Sequence, residues 1–356
     1  MVERASRVQG SKRRPFRCGS ACLLLLVSVT LAACGGAPTS GALAQAASDY
    51  YPVTVENCGH TLTFNEAPSR AVLPYQPIAE MFVGLGLADR AVGKVGYRGG
   101  LSEEAAVLPE QAEDFAGIPD VSDTSFPPPK EQMLALRPDF LLAYGDFDYG
   151  GEHAGAEGLA TREQLKAAGA EVYTVVCPGD FSTQESLAAA YRSILDLGTI
   201  FNVSERAEAR VAQMQQQIAD VEAKVGNEQA VKVLAYTGGT GPIQTLGGIG
   251  INNELIEAAG GENVFAEAEA YFQAPLEEVA ATDPDVFLIW ADSEEATPRL
   301  DGSDEATFLF ETFPNLVASR DRRVVVTDWV YTNPGWRVAQ TVEDLARQFH
   351  PEAFDQ

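Results

Sequence analysis

The side chains best suited to chemistry in this chain fall in one kind of place, just after short apolar runs. Tyr75 follows residues 71–73, Tyr97 and Arg98 follow 92–95, and Tyr144 follows 140–143. Tyr236 closes the run 231–236, Trp290 the run 286–290, and Trp329, Trp336 and Arg337 follow 323–327. All three tryptophans are therefore in the set. In open parallel sheets ligands sit beyond the carboxyl ends of strands. Aromatic walls with a few convergent polar groups suit a large, flat, partly apolar ligand. For any single aromatic the alternative is packing over a strand end. Arg98 and Arg337 stand out because the chain carries 25 Lys and Arg against 51 Asp and Glu.

Other chemistries are poorly supported. Direct capture of a metal ion needs clustered ligands, and His60, His153 and His350 fall in a hairpin, a loop and the last helix. The glycine runs 238–241 and 247–250 fail dinucleotide and P-loop spacing and read as turns bordering a cleft. The acidic stretch 292–305 lacks calcium-loop spacing. Asp146 and Asp292 could in principle serve as the paired carboxylates of a hydrolase. No nucleophile motif accompanies them, so no enzyme activity and no cofactor are expected. A formal charge of −26 repels nucleic acid and anionic headgroups.

These residues are positioned by a loose internal repeat. Residues 129–146 lie over 275–292, with Pro129/Pro275, Glu131/Glu277, Ala135/Ala281, Pro138/Pro284, Asp139/Asp285, Leu142/Leu288 and Asp146/Asp292 identical. Each copy reads as a short helix bearing a glutamate, a Pro-Asp stop, a buried strand, then an aromatic and an aspartate. Around them strands at 71–73, 92–95, 171–176, 231–236 and 323–327 alternate with helices at 78–85, 161–168, 253–259 and 338–349. Ser182-Thr183-Gln184-Glu185 reads as a capping box opening a further helix. A helix over 204–225 carries Val211, Met214, Ile218, Val221 and Val225 on one stripe. The expected fold is α/β, with two Rossmann-like lobes, each with a parallel sheet, joined by this one long backbone helix and enclosing a ligand cleft. The expected organisation is a leader over 1–33, a tether over 34–52, lobes over 53–202 and 227–356, and the inter-lobe helix over 203–226.

The first 33 residues have a basic start and a short apolar stretch ending in small residues, the pattern of a signal peptide. Leu31-Ala32-Ala33-Cys34 resembles the lipobox of bacterial lipoproteins, which implies acylation of Cys34; the alternative is an ordinary secretory leader with an incidental cysteine. Cys18 and Cys22 leave with the leader, so Cys58 and Cys177 remain in an oxidising compartment. A disulfide is the economical reading and two buried thiols the alternative.

The two helix–Pro-Asp–strand units, the segment 253–265 and Thr327-Asp328-Trp329 together resemble ABC-transporter solute-binding proteins for iron–siderophores, haem and vitamin B12. The resemblance covers residues 53–355. It implies a monomer, lipid-anchored outside the cytoplasmic membrane, that passes a ferric siderophore to a permease with its ATPase, or alternatively a corrinoid or haem. It implies ligand contacts from Tyr75, Tyr97, Arg98, Tyr144, Tyr236, Trp290, Trp329 and Arg337, the arginines facing anionic chelate oxygens. It implies permease docking by Glu131 and Glu277. Glu80 and Glu254 are related more loosely by the repeat, and for them a plain helix-surface charge is the alternative. A ligand-sensing lipoprotein without transport is the reading from a different class.

Overall fold

The fold is built on two sheets, in a computed structural model that describes residues 49–96, 107–122, 126–150, 157–179, 185–291 and 303–354, without the side chains of 291 and 328–330. Cys34, Tyr97, Arg98, His153, Asp292 and the leader and most of the tether lie outside the described residues. A hairpin of β1 (Val53–Asn57) and β2 (His60–Phe64) precedes the first sheet. That sheet is parallel, with β3 (Ala71–Leu73), β4 (Ala91–Lys94), β5 (Phe140–Ala143) and β6 (Glu171–Thr174) in the order β4-β3-β5-β6. The second sheet holds β7 (Val231–Gly238), β8 (Ile243–Leu246), β9 (Gly261–Asn263), β10 (Tyr271–Ala274), β11 (Val286–Ala291) and β12 (Val324–Asp328). Here β9, β7, β11 and β12 run parallel, as expected. The other edge is different: β8 is antiparallel to β7, and β10 to β8. The two glycine runs do turn the chain, but four of the five residues between them, Ile243–Leu246, form a strand that the turn reading hid.

The helices used below are α1 (Gln76–Gly84), α2 (Lys130–Ala135), α3 (Leu187–Ile200), α4 (Ser204–Val225), α5 (Ile251–Ala258), α6 (Leu276–Thr282), α7 (Trp329–Thr332) and α8 (Val338–Phe349). In α4 the buried residues are Ala207, Val211, Met214, Ile218, Val221 and Val225. This is the stripe that spacings of three and four demand. It packs against α3, which follows the first sheet, and α8, which follows the second. Contacts gather the described residues into one compact unit. No helix among the described residues is long and apolar enough to cross a membrane.

The repeat has a backbone cause. Arg137 and Asp283, equivalent in the two copies, both adopt the left-handed conformation, at φ 50° and 44°. Each is followed by proline, which cannot extend a helix. Next come Asp139 and Asp285. Asp139 accepts from the backbone N–H groups of Ser69 and Arg70, both at 2.8 Å. Asp285 accepts from Lys232 N–H at 2.9 Å. Each aspartate also donates its own N–H to the same neighbouring segment, Asp139 to Arg70 and Asp285 to Lys232. The Pro-Asp pair thus stops α2 or α6 and registers β5 on β3 or β11 on β7.

Cys58 and Cys177 are joined by a disulfide across 119 residues. It ties the hairpin to the segment leaving β6. Asn57 reinforces the tie, donating to Thr174 O at 2.9 Å and accepting from Thr174 N–H at 2.8 Å. A cross-link over so long a loop restricts the unfolded chain, and loss of such a bond costs about 2–5 kcal/mol. Denaturing alkylation of the exported protein is expected to leave both cysteines unmodified, and reduction to lower its melting temperature by several degrees. Alkylation of both thiols without reductant would contradict the bond.

Candidate functional site

Two strand ends of the first sheet supply an aromatic cluster. The chain leaves β3 through Pro74 to Tyr75, the extended residue that precedes α1. It leaves β5 at Tyr144, then turns through residues 146–148. Ring centroids are 5.1 Å apart for Tyr75 and Tyr144, 5.6 Å for Tyr144 and Phe147, and 6.3 Å for Tyr75 and Phe147. These are the offset and edge distances at which aromatic pairs attract. The turn is held from within. Buried Asp148 accepts from the Tyr144 N–H at 2.6 Å and from Gly145, yet loss of solvation pushes its carboxyl up to about 7.

Polar groups from four distant segments converge on this cluster. The Tyr144 hydroxyl donates to Glu185, whose burial raises its carboxyl above the usual range. Tyr271, at the start of β10, lies in the field of Glu185 and is hydrogen-bonded by the Asn252 amide of α5. Burial and that charge hold its phenol protonated. From the loop after α7, Asn333 donates to the Tyr75 hydroxyl at 3.3 Å. Glu185 was hidden in the sequence because it completes an apparent capping box. The helix instead opens at Leu187 with Ser186 as its cap, the Ser186 hydroxyl accepting from Ala189 N–H at 3.0 Å. Ser182, Thr183 and Gln184 lie outside the described residues.

Beside the cluster, α1 and the start of α8 are joined by a buried ion pair. Arg337 Nε donates to Glu80 Oε2 at 2.6 Å and Nη2 donates to Oε1. Gln76 adds a bond to Glu80 at 3.2 Å. Glu80 is 1% exposed, and burial raises its carboxyl even against the guanidinium. Trp336 packs next to this pair, so close to α1 that a Cβ on Gly84 would stand 2.4 Å from its ring. Arg210 of α4 lies over the same ring at 4.4 Å and donates to the Trp336 carbonyl. With its amide turned to satisfy both neighbours, Gln111 accepts from Trp336 Nε1 at 3.0 Å and donates to the Glu80 carbonyl at 3.3 Å.

The expected site residues therefore divide. Tyr75 and Tyr144 come together. Trp290 is buried and donates to Thr332 at 3.2 Å; Tyr236 is buried and donates to the Gly239 carbonyl at 2.9 Å. The Trp329 backbone opens α7, and its side chain lies outside the described residues. Arg337, whose expected role is to face anionic chelate oxygens, turns its guanidinium to Glu80 in a buried pair of two bonds. Neither Glu80 nor Glu254 is a mere surface charge, since Glu254 accepts from the Leu187 N–H at 2.8 Å and so caps α3 from α5. Glu131 and Glu277 are exposed in the first turns of α2 and α6, at equivalent places in the repeat. His60 is exposed on β2, whereas buried His350 has its Nε2 3.0 Å from the Gly260 carbonyl.

Residues 72–329 match the family described as periplasmic binding protein. A vitamin B12-binding protein of Vibrio parahaemolyticus serotype O3:K6 is 24% identical over 252 residues, which span 67% of this chain and 81% of that one. Among solved structures, a periplasmic binding protein from Veillonella parvula superposes with a TM-score of 0.69 at 19% identity, over 84% of this chain and 97% of that chain. A protein of an ABC-type Fe3+-hydroxamate transport system from Saccharomonospora viridis gives 0.63 at 25% identity, over 86% and 100%. A periplasmic haem-binding protein from Roseiflexus sp. RS-1 gives 0.59 at 24%, over 80% and 99%.

Three variants test this local physics. Arg337→Met strands a buried carboxylate and should cost about 3–5 kcal/mol by denaturant unfolding, while the double variant with Glu80→Leu should recover most of that loss. A loss under ~1 kcal/mol for the single variant would show the pair to be unimportant. Asp148 titrates at a raised pKa in the folded state, so its contribution to stability is full below about 4 and is lost as pH rises towards 7. Asp148→Asn should therefore gain on the wild type by up to about 4 kcal/mol between pH 4 and pH 8. A difference that stays constant over that range would contradict the assignment.

Proposed function

This chain belongs to the periplasmic binding protein family, and from that premise we propose that it captures a metal chelate for an ABC importer and hands it to the membrane permease. The ligand class put first is a ferric siderophore, with a corrinoid as the second reading. The observation that carries the proposal is the Tyr75–Tyr144–Phe147 cluster beyond the strand ends, joined by polar side chains from α5, β10 and the loop after α7. Wide aromatic faces with a small polar set suit a bulky, partly apolar ligand. The corrinoid reading draws on the uncharged phenols and amides in that set and on the B12-binding relative. Binding and release would be the whole activity, with no bond made or broken.

Anchoring through an acylated Cys34 would keep the protein at the outer face of the membrane beside its permease. Glu131 and Glu277 would dock there. Both are exposed at the beginnings of the helices that lead into β5 and β11, and the aromatic cluster lies beyond the carboxyl ends of β3 and β5. A strand and its preceding helix run in opposite directions in such units, so a helix start lies on the strand's carboxyl side; the two sites must then be separated laterally rather than by opposite ends of the sheet.

Replacing both glutamates by alanine should leave ligand affinity within about threefold, a change under ~1 kcal/mol, and abolish uptake by cells carrying the importer. Mass spectrometry of ligand co-purified from the native host identifies what to measure. Loss of binding in the double variant, or normal uptake, would refute the division of roles.

A further inference from the structure

The glycine run 247–250 does more than turn the chain, and the side-chain oxygen of the amide that follows it is left without a partner. Gly248 lies so close to the turn below it that an added Cβ would stand 1.8 Å from the Ala266 carbonyl oxygen. Only a chain without side chains at Gly247 and Gly248 can press against residues 266–269 there. This packing seats the first turn of α5 beside Tyr271. Asn252, in that turn, is 7% exposed, and its Oδ1 has no hydrogen-bond partner. Its amide nitrogen is already used on the Tyr271 hydroxyl. An unpaired buried acceptor is unfavourable, because water has been removed without a replacement donor.

That acceptor is not isolated. Tyr271, which the same amide holds through its nitrogen, is 48% exposed and so borders solvent. Glu185 acts on the same tyrosine and accepts from Tyr144. The strip from Asn252 through Tyr271 to Glu185 therefore offers an amide oxygen and a carboxylate. Resting on the reading in which this cluster holds the ligand, we propose that Asn252 and Glu185 form an acceptor edge that selects chelates bearing neutral N–H or O–H donors over chelates bearing carboxylates or other anionic groups. A donor on the ligand would complete Asn252. A ligand carboxylate would gain only the Tyr271 hydroxyl as a donor and would stand against the Asn252 oxygen and the Glu185 carboxylate, which in a partly desolvated setting is unfavourable.

The test is a panel of four probes measured by calorimetry against the intact mature protein. Ferrichrome, a neutral trihydroxamate on a peptide ring, and cyanocobalamin, with its amide side chains, represent donor-bearing ligands. Haem and a ferric tris-catecholate represent anionic ones. At least one neutral probe should bind about tenfold or more tighter than either anionic probe. Asn252→Ala should weaken that neutral probe by roughly five- to tenfold, about the value of one hydrogen bond. Glu185→Gln should narrow the discrimination against the anionic probes to within about threefold of the neutral one. Melting temperatures verify that both variants are folded, and the wild-type ranking needs no variant. An anionic probe that binds wild-type protein as tightly as the neutral ones overturns the acceptor edge while leaving chelate capture intact. Failure of all four to bind overturns both.

Discussion

The arrangement of this molecule depends on the buried ion pair between Glu80 and Arg337. The two residues are separated by 257 positions and belong to helices associated with different sheets. A carboxylate at 1% exposure is unfavourable by itself, and the guanidinium offsets that cost only in the two-bond geometry seen here. The pair thus contributes less to net stability than to uniqueness: α1 and α8 have one mutual position in which neither charge is stranded. Trp336, Arg210 and Gln111 surround it, so the long helix α4 is tied into the same joint. Hydrophobic packing of the α4 stripe supplies attraction without direction, and the ion pair supplies the direction.

The joint stands next to the aromatic cluster, and the two share elements. Tyr75 immediately precedes the helix that carries Glu80, and Asn333, which reaches Tyr75, lies four residues before Arg337. Anything that moved α8 against α1 would therefore move Asn333 against Tyr75. The phenols of Tyr144 and Tyr271 are likewise set by Glu185 and Asn252, which come from opposite sides of α4 in the sequence. The site's geometry is in this sense a consequence of the joint. On the proposed reading, a chain held in this way would have its ligand surface assembled before the ligand arrives, which would lower the ordering cost of binding.

Much of this was legible in the residues. The repeat announced two equivalent helix–strand units, and its identities turn out to be backbone devices: Pro138 and Pro284 after left-handed residues, Asp139 and Asp285 as acceptors for the neighbouring segment. The apolar stripe of α4 was readable because a helix with two partners must bury a regular face. That Tyr75 and Tyr144 stand beyond strand ends was readable by position alone. Long-range pairings were not readable. Glu80 and Glu254 look like ordinary helix charges, and only the fold brings Arg337 and the Leu187 N–H to them. Glu185 imitated a cap, and β8 was lost between glycines, because local pattern says nothing about which distant strand or phenol will arrive.

The claim that the Glu80–Arg337 joint holds the two sheets in one mutual position has a direct measurement. Spin labels at exposed Glu163, beside the first sheet, and exposed Glu278, on α6 beside the second, give an inter-label distance by pulsed electron resonance. The account predicts one narrow distribution whose centre moves by less than about 2 Å when ligand is added, the range of pre-organised binding surfaces. It further predicts that the distribution broadens in Arg337→Met. A wild-type distribution that is already broad, or that shifts by roughly 10 Å on ligand binding as in hinge closure, would contradict it.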